Sequence, residues 1–269
     1  MRHLAPSIFA TGPVAAASEK YSFLPTIQIV TALEGEGWYP VLAREAYVRG
    51  AHRGFQKHMV RMRHRGLEDS GVARQLGDTH LEAVLTNSHD LGAAFMLGIG
   101  VWELACLNGM MVASMEFASF RLRHIGLKME DVIDASYRVI ESAPLVAGRV
   151  KEFQAISLTE ADANYYAARA AQLTWANPKP VRAASLLQAR RTSDQATSLW
   201  KTYNRVQENI IRGGVTGGGR KTVPIRSITR DVEINRGLWQ LTEQVAAIKS
   251  LPRPRQEWPQ LLLEAPRGS

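Results

Sequence analysis

The stretch from Trp38 to Arg65, WYPVLAREAYVRGAHRGFQKHMVRMRHR, decides how the fold is read. Its two arms, WYPVLAREAYV and FQKHMVRMRHR, are rich in aromatic and β-branched residues, and Gly50 and Gly54 supply turn chemistry between them. The segment therefore predicts an antiparallel hairpin. Side chains alternate across a strand, so Lys57, Arg61, Arg63 and Arg65 fall on one face and His58, Val60 and Met62 on the other. One face is basic and one belongs to a core.

Upstream, Tyr21 to Gly37 reads as a short helix with Ile27, Val30 and Leu33 at helical spacing, and residues 1–20 read as a flexible arm. Downstream, LEAVLTNSHD and AAFMLGIGVWELACLNGMMV read as buried strands, with turns at Ser88 to Gly92 and at Asn108-Gly109. From Phe120 onward the pattern turns helical. A helix carries Val132, Tyr137 and Ile140 as far as Pro144. Ser157 and Glu160 suggest a capping box for a helix reaching Trp175, which NPKP at 177–180 breaks. Thr192 and Gln195 suggest the start of the next helix, with Leu199, Tyr203, Val206 and Ile210 as its apolar stripe and Lys201, Arg205, Glu208 and Arg212 as its charged one. Gly213 and Gly214 end that helix, and a last helix carries Ile234, Leu238, Leu241, Val245 and Ile248. The fold class expected is α+β: an N-terminal helix and an antiparallel sheet followed by a helical C-terminal half. One domain is expected over 21–249, with a disordered Pro- and Arg-containing tail at 250–269.

The chain of 269 residues carries a formal charge of +8, with a pI near 9.8. That balance favours polyanionic partners, nucleic acid first. A single cysteine, Cys106, excludes an internal disulfide and a multi-cysteine zinc site, and fits a reducing cytoplasm. The most apolar run, Leu91 to Trp102, is too short to cross a bilayer, so no membrane partner is expected.

The motif search returns no catalytic constellation. In NIIRGGVTGGGRKTVPIRSITRD, residues 209–231, Gly214 and Gly219 have the separation of a Walker A loop. Arg220, however, stands where the lysine belongs, and a helix precedes the loop where a strand is required. The better reading is a mobile basic loop over 213–225 that follows a phosphate backbone, with Arg220, Lys221, Arg226 and Arg230 supplying charge. A solvated loop without a role is the alternative. His58, His64, His80, His89 and His124 lack metal-ligand spacing, and no metal or cofactor is expected. Asn87-Ser88-His89-Asp90 reads as turn chemistry, because Asn, Ser and Asp side chains bond their own backbone there. Tyr39 and Tyr47, on the first arm of the hairpin, are the aromatics whose core role is least certain.

Taken in order, Ser22-Phe23-Leu24-Pro25-Thr26, Gly37-Trp38-Tyr39-Pro40-Val41, Lys57-His58-Met59-Val60-Arg61, Asn87-Ser88-His89-Asp90, Asn108-Gly109 and Arg123-His124 lead to a last motif. There Leu199-Trp200 and Tyr203-Asn204 precede Gln207-Glu208-Asn209 and Gly213-Gly214. Together these stretches resemble a phage/plasmid-like family known as domain of unknown function 932, over Tyr21 to about Lys249. The resemblance implies a setting on mobile genetic elements and no assigned activity. The order of elements is similar to that of Rad52/RecT-like annealing proteins, an analogy of architecture.

The function expected is ATP-independent binding and annealing of single-stranded DNA in recombination by a cytoplasmic homo-oligomer, with an exonuclease as a companion. The DNA-binding residues expected are Lys57, Arg61, Arg63, Arg65, Arg220, Lys221, Arg226 and Arg230. Two alternatives stand beside it. One is an anti-defence or regulatory protein that binds a host protein; the other is a metal-dependent nuclease using Asp90 and Glu103.

Overall fold

The computed structural model describes residues 1–72, 79–103, 110–111, 120–122, 124–175, 181–190, 192, 195–217 and 219–250. Asn108-Gly109, Cys106, the NPKP break, Arg123 and the tail beyond Ser250 lie outside them. The chain divides into two compact units where the sequence suggested one domain: Met1–Ala147 with Arg226–Thr229, and Gly148–Ile225 with the chain from Arg230 onward. Among the described residues no helix is long and apolar enough to cross a membrane.

The first unit is built on an antiparallel sheet. The expected hairpin forms from β1 (Trp38–Glu45) and β2 (His58–His64), with a bulge between Pro40 and Leu42. β3 (Thr79–Asn87) and β4 (Phe95–Glu103) continue it, and the far edge of β4 takes both β5 (Met110–Met111) and β6 (Phe120–Leu122). Phe120 thus starts a strand where the sequence suggested the onset of helices. β1 lies at the edge of this sheet, where Pro40 and the bulge break the row of free backbone groups. The helix α1 (Thr26–Gly35) buries Ile29, Val30 and Leu33. It is stopped by Gly37, whose φ of 91° closes the turn into β1. The turn after β3 is the one expected: Gly92 N–H donates to Asp90 Oδ1, and Ala93 N–H to Ser88 Oγ.

Two expectations for this unit fail. Residues 1–20 are no loose arm, since Ala5, Ser7 and Ile8 are fully buried around a short turn at Pro6–Phe9. Arg65 also leaves the strand face, because it starts α2 (Arg65–Glu68), a single helical turn.

The helix α3 (Met129–Ala155) runs on through Pro144. Val132, Val139, Ala143, Val146, Val150 and Phe153 form one buried face, while Pro144 itself is exposed. Its missing N–H leaves the Ile140 carbonyl without its usual donor, and burial of the other face carries the helix across.

The second unit continues with α4 (Glu160–Thr174), α5 (Ala183–Leu186), α6 (Leu199–Arg212), a small hairpin of β7 (Thr216–Gly217) and β8 (Arg220–Lys221), and α7 (Ile228–Lys249). Both expected caps shift. Thr159 and Asp162 form the capping box of α4, and Ser198 caps α6 by accepting from Lys201 N–H. The reason is a local pairing: Ser157 and Ser198 form a bridge, flanked by Leu158 N–H to Thr197 O at 2.9 Å and Leu199 N–H to Ile156 O at 2.8 Å. These bonds keep both segments extended until the residues that cap.

Candidate functional site

Three of the stretches that carry the family resemblance, those with Thr26, His58 and Asn87-His89, meet around one hydroxyl. Thr26, the first residue of α1, lies 2.8 Å from His58 Nε2 on β2 and 3.1 Å from His89 Nε2, and accepts from Asn87 Nδ2 at 2.9 Å. All four residues are buried. The proton positions follow from what each atom can do. Gln56 O only accepts, so His58 Nδ1, 3.0 Å away, carries the proton. His58 Nε2 is then a bare lone pair and takes the Thr26 O–H. The Thr26 oxygen is left to accept from Asn87 and from His89 Nε2–H.

The N-terminal segment closes this cluster. Ser7 Oγ lies 3.0 Å from His58 Nδ1, and both its N–H and its O–H donate to Glu45 Oε2, at 2.9 and 2.7 Å. Gln56 Nε2 donates to the other oxygen of Glu45 at 2.6 Å. Phe23 stands edge-on to His89, and Tyr21 stacks on His124 at 4.7 Å between centroids while donating to Ser88 O. Burial pushes the His58 imidazolium down to about 4. Burial, with His58 and His124 nearby, pushes His89 down to about 3. Burial also lowers His124, and burial with Asp90 nearby raises Tyr21 to about 12.

The two imidazoles at Thr26 are thus neutral near pH 7. A proton added to His58 would give Nε2 a second donor facing a hydroxyl already filled by donors. Among the described residues no group of three or more His, Cys, Asp or Glu is placed to hold a metal. The arrangement ties the N-terminal segment, α1, β2 and the end of β3 together, and it offers no charge to a ligand.

The expected cations are distributed otherwise. Arg61 and Arg63 do share a face, but Glu82 on β3 stands there with a fully buried side chain. Arg61 donates to it twice, through Nε at 2.5 Å and Nη2 at 3.0 Å, and Arg63 Nε donates at 2.9 Å. The glycines of β4 opposite, Gly98 across from Val84 and Gly100 across from Glu82, carry no side chain to compete for that space. The basic face read from alternation is therefore an Arg–Glu–Arg triad, which Glu68 extends with its Oε1 3.9 Å from Arg63 Nη1, so two carboxylates stand against the two guanidinium groups. Lys57 donates to Thr229 Oγ1 at 2.7 Å. Arg230 lies within α7 rather than on a loop, beside Glu233 and bonded to Thr174 O. The other four, Arg65, Arg220, Lys221 and Arg226, are exposed, and none makes an ion pair among the described residues.

The Gly-rich stretch also has more structure than a mobile loop. Gly213 at φ 65° caps α6, and a Cβ there would sit 2.6 Å from the carbonyl carbon of Val223. Gly214 N–H donates to Thr222 O, Thr222 N–H to Val215 O, and Arg220 and Lys221 stand on β8 opposite Gly217 and Thr216.

Sequence reasoning missed a polar face inside α6. Thr202, Asn204, Gln207, Glu208 and Asn209 are buried, so Glu208 does not belong to a solvent stripe. Asn209 Nδ2 donates to both Leu186 O and Gln188 O at 2.9 Å, and its Oδ1 accepts from Arg190 Nε, whose Nη2 reaches Gly213 O. Gln207 donates to Asn235 Oδ1, which α7 positions. A signal was available: five polar residues sit in consecutive turns of a helix whose apolar stripe is complete without them. Beside α6 a cavity of about 360 Å³ is lined by Leu158, Ala163, Leu187, Thr202 and Arg205 among others.

The family model described as "Domain of unknown function (DUF932)" matches residues 13–239. The chain is 34% identical over 247 residues to UPF0380 protein YafZ of Escherichia coli K12, covering 88% of this chain and 87% of that protein. It is 32% identical over 245 residues to UPF0380 protein YfjQ of the same organism, with the same coverage. No solved structure matches.

Proposed function

The chain belongs to the DUF932 family, and from that premise we propose that it is a single-stranded DNA-binding protein that promotes strand annealing without ATP. The observation that carries the reading is the hairpin after α6, where glycines place Arg220 and Lys221 on an exposed strand without an ion-pair partner among the described residues. Short cationic strands of this kind neutralise phosphates without reading sequence, and a formal charge of +8 supplies the long-range attraction. Annealing requires no more chemistry than that: two backbones are neutralised and their bases are left free to pair. On this reading the protein acts as a homo-oligomer on a mobile genetic element, in the manner of the Rad52/RecT-like proteins whose order of elements it resembles. Arg61 and Arg63 serve chiefly to hold Glu82.

The test is fluorescence anisotropy of a labelled single-stranded oligonucleotide titrated with protein at two salt concentrations, without ATP or metal. Binding is expected to fall steeply with salt. Arg220→Glu with Lys221→Glu is expected to weaken it on every sequence alike and to reduce the salt slope by about one for each phosphate that is no longer neutralised. Unchanged binding in that variant, or no binding at low salt, overturns the reading.

A further inference from the structure

The connection between β1 and β2 has features that the fold does not need. Its base is fixed: Ala46 N–H donates to Lys57 O at 2.7 Å, and His89 N–H to Phe55 O at 2.8 Å. Gln56, itself buried, takes Gly54 N–H on its Oε1 while bonding Glu45 through its amide. Within the loop a single turn at Gly50–His52 is closed by Arg53 N–H to Gly50 O and followed by Phe55 N–H to His52 O. Gly50 at φ 70° and Gly54 at φ 91° hold the two bends, and a Cβ at either would meet nothing within 4 Å. Backbone bonds hold the loop, and both glycines border open space.

On that scaffold stands Tyr47, 84% exposed, the most exposed aromatic among the described residues. A tyrosine so exposed contributes nothing to a core, and its ring costs hydration free energy until something covers it. Arg49 is its immediate neighbour. Its guanidinium carbon lies 5.8 Å from the ring centroid, and its Nε donates to the tyrosine hydroxyl at 3.3 Å. Arg49 and Arg53 are exposed, and no carboxylate occurs between Ala46 and Lys57. Among the described residues Glu45 bonds Gln56 at the base of the loop, and Asp90 lies 3.8 Å from His52. An exposed aromatic ring beside unshared guanidinium groups, on a backbone already held in place, matches the chemistry of a single strand, whose every base has a π-face and whose every link has a phosphate.

We propose that this loop is a base-stacking platform: Tyr47 takes a base of the single strand, and Arg49 and Arg53 take the flanking phosphates. The inference rests on the nucleic-acid reading above and adds a base contact to a reading argued so far from charge alone. The ligand class is an unpaired strand of any sequence, since stacking is tolerant of base identity while a paired base has its faces occupied.

The experiment titrates the full-length protein against two labelled chains of equal length, one a thymidine oligonucleotide and the other the same deoxyribose-phosphate backbone without bases. Tyr47→Ala is expected to weaken binding to the oligonucleotide by about fivefold to a hundredfold, the range for one stacked base, and to leave binding to the abasic chain unchanged. Tyr47→Phe keeps the ring and is expected to bind both chains as the parent does. Arg220→Glu with Lys221→Glu is expected to weaken both chains equally. Equal effects of Tyr47→Ala on the two chains, or none on either, overturn the platform while the charge-based reading stands. Failure of the unaltered protein to bind either chain overturns both.

Discussion

The first unit buries imidazoles, and the second buries carboxamides. Around Thr26 the polar atoms come from His58, His89 and Asn87, while along α6 they come from Asn204, Gln207, Asn209 and Asn235. Both clusters use buried polar groups to join segments distant in the chain. Thr26 gathers residues 32 and 63 positions away, and Asn209 holds a segment 21 to 23 positions away. The difference is in what each costs as conditions change. A carboxamide keeps its donors and acceptors at any ordinary pH, whereas an imidazole locked into one neutral tautomer makes its cluster depend on remaining unprotonated.

The largest effect that separates the two is pH. His58 and His89 have folded-state values of about 4 and about 3, below the unfolded value of 6.5. The unfolded chain therefore binds more protons in between. The stability they contribute is fully present above about pH 6.5 and is lost as pH falls toward those folded values. For His58 alone the loss by pH 4 is about 3 kcal/mol. All seven histidines precede residue 125, so the second unit has no imidazole to titrate. Hydrogen exchange measured at pH 7 and pH 4.5, corrected for intrinsic rates, is expected to show protection falling first in α1, β2 and β3. Equal loss in α6 and α7 would break the comparison.

Next in size is Thr26→Val, which keeps the shape and removes the hub. His58 Nε2, His89 Nε2 and Asn87 Nδ2 all lose their shared partner, at a cost of about 2–3 kcal/mol at pH 7. The cost shrinks at pH 4.5, where the parent cluster is already weakened. Urea midpoints of both proteins at the two pH values measure this directly, and a pH-independent difference would mean that the hydroxyl and the imidazoles are not one network.

The smallest effect is Asn209→Ala, about 1–2 kcal/mol. It should be the same at either pH and should be felt mainly where Leu186 and Gln188 lose their amide partner. Proteolysis near residues 186–190 is expected to quicken, and an unchanged cleavage rate there would remove Asn209 from its assigned role.

Much of the fold was readable from short-range pattern. The β1–β2 hairpin, the turn at Ser88 to Gly92, the glycine end of α6 and the last helix are each written in a few neighbouring residues. The failures share a cause as well. By the local rule Pro144 reads as a stop, but the buried face of α3 extends beyond it. Ser157 and Thr192 have cap chemistry, yet the bridge from Ser157 to Ser198 moves both caps down the chain. Residues 1–20 have no periodicity to read, and their order comes from Ser7 meeting Glu45 and His58, residues 38 and 51 positions away.

The candidate site divides along the same line. By itself the sequence determined the charge, the alternation that puts Arg61 and Arg63 on one face, the glycines around Arg220 and Lys221, and the confinement of every histidine to the first half. Each is a property of residue type and spacing. Tertiary packing set the rest: Glu82 is shared by the arginine pair, Thr26 gathers two imidazoles and an amide, and Tyr47 stands uncovered. Burial and pairing depend on which distant segments arrive at the same place, and the free energy of a charge or a ring is set there, by its neighbours and its access to water.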